Sequence, residues 1–339
     1  MRVEMRRHRC RVSTQVLMEP HGATQRLVDE ATAAVAAREA AADHEVLATA
    51  WGRIAAVHAW RGETSEYRQA HARALTHARQ AGSLALEVNL VGMRAPEFVW
   101  GQGPVDEGLE YADEIVDRLG HVPGMQQFAL HLRGHMRARL GEFDGALEAI
   151  GEYRNSQREL GKEREYAASA ACVWDVCSWS GDWQHGEKAL REAYEQLERS
   201  GNRGHLSNIT LDLCDAALTQ GRLEEAGRLY GLGEELCASD DVEHEAHLAL
   251  LRARLSLARH HLDEAETAAQ KAAEVAVGIG FLEWAADAWL VLAKVNRARG
   301  DAHRERSAAE EGLRLYEQKG NLVGADRARS LLEKVERPQ

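Results

Sequence analysis

The chain has 339 residues, a formal net charge of −12 and an apolar fraction of 45%. That charge argues against a broad nucleic-acid-binding surface, which needs a basic field to meet phosphates, and no apolar run approaches the roughly 18 residues of a membrane span. Cys10, Cys172, Cys177, Cys214 and Cys237 are odd in number and form no paired framework, which fits a reducing cytoplasm.

Residues 1–21 carry no helical period and end at Pro20-His21-Gly22. Arg2, Arg6, Arg7, Arg9 and Arg11 make this stretch a basic, disordered tail, with a nucleic-acid or membrane-surface arm as the alternative. It lacks the apolar centre of a secretory signal. Gln25 to Ala42 reads as a single alanine-rich helix, half of a hairpin. From His44 the chain reads as helix pairs. First helices are predicted at 44–61, 84–100, 123–140, 163–180, 203–220, 242–259 and 282–299. Second helices are predicted at 64–81, 104–119, 143–160, 183–200, 223–238, 262–279 and 302–319. The predicted fold is all-α, a solenoid of about seven and a half helical hairpins over residues 22–339.

The turns within the pairs set a ruler. Positions 62, 101, 141, 181, 221, 260 and 300 stand 39 or 40 residues apart, and all but His260 are glycine. A fixed period of that size signals stacked helical hairpins. A second series, Gly82, Gly120, Gly161, Gly201, Gly280 and Gly320, falls between the pairs, where glycine can take the left-handed conformation that ends a helix. Ser239-Asp240-Asp241 replaces it in the fifth repeat, and Pro123 suits a helix first turn. Pro96 lies inside a predicted helix and implies a kink or break there.

Counted from the turn, the pattern resembles the tetratricopeptide repeat. Small residues stand seven before it at Ala55, Gly134, Cys214, Ala253 and Ala293, and five after it at Ala146, Gly186, Ala226 and Ala265. Large residues stand eleven before it at Trp51, Leu90, Leu130 and Trp289. Repeats of this length are similar to those in the helical arms of bacterial LuxR-type and cyclase-linked regulatory ATPases, as is the run from Ala308 to Arg329. The resemblance implies a right-handed α-α superhelix whose first helices line a concave groove. It places the groove row six residues before each turn: Ala56, Ala95, His135, Asp175, Asp215, Arg254 and Lys294. His131, Asn208, Ser178, His247 and Arg297 lie beside that row, and Trp60 and Trp179 stand at its rim. The row reads apolar early, acidic in the middle and basic late, a pattern that could orient a peptide.

His131 and His135 are four apart, as metal ligands on one helix face are, but spacing supplies no third ligand, so no metal and no cofactor are expected. Cys172 and Cys177 are five apart and read as core. Neither a phosphate-binding Gly-x-x-x-x-Gly-Lys-Ser/Thr stretch nor a Gly-x-Ser-x-Gly elbow is present. The expected function is therefore a non-enzymatic scaffold that binds a protein or peptide partner in the groove, in bacterial cytoplasmic regulation. The alternative is the sensor arm of a transcriptional or signalling regulator without its ATPase and DNA-binding parts.

Overall fold

A computed structural model describes residues 20–60, 63–237 and 242–336. The basic stretch up to residue 19 and the Ser239-Asp240-Asp241 turn lie outside them, as does the side chain of Trp60. The described residues hold helices and no strand. In chain order these are α1 (Pro20–Arg38), α2 (His44–Trp60), α3 (Thr64–Gln80), α4 (Leu84–Val99), α5 (Val105–Leu119), α6 (Met125–Arg139), α7 (Phe143–Glu159), α8 (Glu163–Ala168) and α9 (Ala170–Ser180). They continue with α10 (Trp183–Ser200), α11 (Arg203–Thr219), α12 (Leu223–Leu236), α13 (Val242–Ala258), α14 (Leu262–Gly278), α15 (Leu282–Ala298), α16 (Ala302–Lys319) and α17 (Leu322–Glu336). The fold is an all-α helical-repeat superhelix of the tetratricopeptide kind, with a single helix before the first pair and another, α17, after the last.

The turn ruler has a physical basis in the backbone. At Gly221 φ is +73°, the amide of Arg222 bonds the carbonyl of Ala217 at 2.8 Å, and the amide of Gly221 bonds that of Leu218 at 3.1 Å. This double closure satisfies the last carbonyls of α11 and sends the chain into α12. His260 performs the same closure at φ +60° without being glycine. The small residues serve close helix approach. A Cβ on Gly134 would stand 3.0 Å from Ile150, and one on Gly186 2.8 Å from Cys177.

Four local expectations are corrected. Gly120 is right-handed at φ −61°, and the left-handed residue is Gly124, which precedes Met125, so Pro123 stands outside α6. Of the kink or break expected at Pro96, the break does not occur, and helix α4 continues to Val99. The predicted helix 163–180 is interrupted at Ser169, whose hydroxyl donates to the Tyr166 carbonyl at 2.7 Å and accepts from Arg154 Nε at 3.2 Å. Pro20-His21-Gly22 is already helical, as the start of α1.

The packing divides into two compact units, one ending at Arg94 and one beginning at Ala95. The first is cored by Val35, Leu47, Ile54 and Tyr67, and the Tyr67 hydroxyl donates to the Met93 carbonyl at 2.7 Å. The second returns on itself. Lys319, fully buried at the end of α16, donates from Nζ to the carbonyls of Phe98, Gly101 and Gly103 at 2.8, 2.5 and 2.7 Å. Beside it Arg139 and Glu283 form a buried two-pronged ion pair, with bonds of 2.9 and 2.5 Å. Asn321 donates to the same carboxylate at 2.5 Å, and the Arg139 guanidinium also donates to the carbonyls of His135 and Val99. This seam joins the last hairpin of the unit to its first. Burial, with Arg139 nearby, pulls the Lys319 ammonium down to about 7, against the opposing pull of Glu283 and Glu97.

Candidate functional site

The predicted residues of the second unit resolve into two clusters, with Asn208, Arg297 and His247 engaged elsewhere. The first cluster is built on α6, α9 and α11. His131 and His135 meet edge to face with ring centroids 4.7 Å apart, and Tyr153 of α7 stacks on His131 at 4.2 Å. Burial pulls His131 down to about 4. His135 falls well below its ordinary value through burial, then through His131, Arg139 and Lys319. Both rings are therefore neutral near pH 7. Nδ1 of His131 and Nε2 of His135 are buried with no hydrogen-bond partner.

Asp175 lies one repeat on, where burial raises its carboxyl to about 7 despite the attraction of Arg139. Asp212 of α11 is pushed well above the carboxylate range by burial and by the charge of Asp175. No donor among the described residues bonds to either side chain, although neither is fully shut off from solvent. Trp179, predicted at the rim, packs under the Arg139 guanidinium at 5.2 Å.

The second cluster belongs to the later repeats. Asp215 forms an ion pair with Arg254 and accepts a bond from Trp174 Nε1 at 3.2 Å. Arg254 also donates to Thr219 at 3.1 Å. Burial lowers Lys294, and the nearby Arg327 and Arg254 add to the effect. Tyr316 donates to Asp287 at 2.7 Å, within 3.8 Å of Arg327. The acidic middle and basic end of the row are thus not separate fields, because the acid at Asp215 is neutralised by the base one repeat later. Asn208 is bonded by His244 at 2.6 Å, and Arg297 turns to Glu305 and the Leu331 carbonyl. His247 stacks on Trp284 at 4.7 Å. A cleft of about 860 Å³ opens away from both clusters, lined by Tyr230, Cys237, Leu248, Arg252 and Lys271.

Sequence reasoning missed Asp212, Arg139, Glu283 and Lys319 at or beside the first cluster. Arg139 carried a usable signal: it stands two residues before its turn, the register of Trp60 and Trp179. Asp212 is one helical turn from Asp215 on the same face. Lys319 and Glu283 carry no such mark, since their partners lie on the far side of the unit.

No family model matches the chain, and no curated protein matches it. Solved structures do. A Rap protein complexed with Competence and Sporulation Factor aligns with a TM-score of 0.55 at 13% identity, covering 87% of each chain. A signal transduction ATPase with a tetratricopeptide repeat sensor, from Pyrococcus horikoshii, aligns at 0.47 and 16%, covering 85% of this chain and 43% of that one. Yeast Tom70 aligns at 0.48 and 13%, covering 93% and 61%. The chain has the tetratricopeptide-like fold. Among the described residues no helix is long and apolar enough to cross a membrane.

Proposed function

We propose that the chain is a non-catalytic scaffold that binds a protein or peptide segment along the row running from His131 to Arg297. The observation that carries this reading is the pair Asp175 and Asp212. Two half-buried carboxyl groups that disfavour each other's ionisation and lack a donor are costly to ionise in the folded chain. A cationic group from a partner would offset that cost, so the segment presents a Lys or Arg side chain, or an amino terminus, between them. Lys294, beside the cationic Arg254 and Arg327, would then meet an acidic stretch further along, with Arg297 at its end. His135, Asp215, Arg254 and Trp179 shape the wall between, and Asn208 flanks it. The Rap protein of similar fold was solved holding a factor, which supports the reading by analogy of fold. A setting in bacterial cytoplasmic regulation is part of the proposal and rests on the long repeats and the run from Ala308 to Arg329.

Peptides selected from a random display library against the wild-type chain test this. They should be enriched in Lys or Arg and should bind the doubly substituted Asp175→Asn/Asp212→Asn chain about tenfold more weakly, a loss of about 1.4 kcal/mol. Circular dichroism should show helicity retained. Equal affinity for the two chains overturns the assignment of the row. A pull-down from the native host with the same pair of proteins would identify the natural partner.

A further inference from the structure

Histidines four apart on α6 are not a metal site by themselves. The fold supplies what their spacing lacks. Cys172, on α9 of the next hairpin, is buried, and one ligand atom from each of His131, His135 and Cys172 lies within 4.8 Å of the other two. Three donors this close need only a small inward movement to share one ion, since Zn–N and Zn–S distances are about 2.0–2.1 and 2.3 Å. The two orphaned imidazole nitrogens are the second observation. A packed core histidine satisfies its buried nitrogens, and these do not.

We infer that His131, His135 and Cys172 bind a single Zn²⁺ ion. Two imidazoles and a thiolate suit a borderline-soft d-block cation rather than Mg²⁺ or Ca²⁺, which take oxygen ligands. On binding, the Cys172 S–H bond breaks, its proton leaves to water, and the thiolate pair forms the Zn–S bond. The site then carries one net positive charge, which Asp175 and Asp212 lie close enough to feel. Three protein ligands leave a fourth position for water. The ion would staple α6 to α9 of the next hairpin, just past the Ser169 break.

A rival cluster, Cys177, Asp182 and His185, has the same mutual spacing, but Asp182 and His185 are exposed and already pair with each other at 3.6 Å. The test separates the two. The untagged full chain is stripped with a chelator and titrated with Co²⁺ as a spectroscopic stand-in, then with Zn²⁺ in competition. The expected result is one equivalent bound with a thiolate-to-cobalt charge-transfer band, displaced by Zn²⁺. Cys172→Ser should abolish the band, and His131→Gln should weaken binding by roughly a hundredfold or more. His185→Gln should change neither. Should Cys172→Ser fail to fold, as judged by circular dichroism of the metal-free chain, His131→Gln carries the test with the wild-type spectrum. Absence of the band in wild type, its survival in Cys172→Ser, or its loss in His185→Gln overturns the assignment.

Discussion

Lys319→Met should open the seam of the second unit. The ammonium makes three hydrogen bonds to main-chain carbonyls in a site with no solvent access. Bonds to a charged donor contribute about 1.5–3 kcal/mol each, while desolvating the ammonium takes back several kcal/mol. Methionine fills a similar volume without a donor, so three carbonyls lose their partner and the apolar packing changes little. The net loss should be about 3 kcal/mol, in the range found when one member of a buried polar set is removed. That corresponds to roughly a hundredfold rise in the local opening equilibrium. Hydrogen exchange reads it directly. The amides of Gly101 and Gly103 bond to Pro96 and Glu97 within the loop that Lys319 clamps, at 3.0 and 2.9 Å. They should exchange about a hundredfold faster in the variant. The amide of Ser83, bonded to Ala78 in the first unit, should be unaffected. Exchange at Gly101 and Gly103 within about threefold of wild type would refute the view that Lys319 holds the seam shut.

Three other substitutions probe separate features. His260→Gly should stabilise the chain by roughly 0.5–1 kcal/mol in chemical denaturation, because a left-handed non-glycine residue costs about 1–2 kcal/mol and added glycine entropy returns part of that. Gly186→Ala should destabilise by roughly 1–3 kcal/mol by the same assay, since its methyl would press on Cys177 and Trp174, at 2.8 and 2.9 Å. Asp175, raised by burial to about 7, holds more protons folded than unfolded between pH 4 and 7. Its contribution to stability is therefore full below about pH 4 and is lost as pH rises through 7. Asp175→Asn should flatten the fall in melting temperature across that window, and an unchanged pH profile would show that the carboxyl is not shielded.

The repeat architecture was legible because it is local. The glycine at 221, the alanine at 226 and the cysteine at 214 each answer a need met within one hairpin, and the same need recurs every 39 or 40 residues. Departures from the period were legible only in part. Gly120 and Gly124 are both glycine in one loop, and only tertiary context decides which turns left-handed. The break at Ser169 has no proline or glycine to announce it. The row positions followed from the ruler, but their chemistry did not. Asp215 and Arg254 read as opposite ends of a field, whereas stacking places them in contact. Cys172 and Lys319 were the least legible, because what each does depends on residues 37 or more positions away.

The Lys319 clasp has a consequence for how such an array can change. An open stack of hairpins can lose or gain a unit anywhere along its length and remain a stack. A stack in which Lys319 must reach the carbonyls of Phe98, Gly101 and Gly103 is a counted object. Removing one hairpin between Val105 and Ala302 would leave Lys319 a full repeat short of Gly101, and adding one would carry it past. Divergence in this chain is thereby confined to substitutions and loop lengths, while the number of hairpins between the two sides of the clasp is held constant.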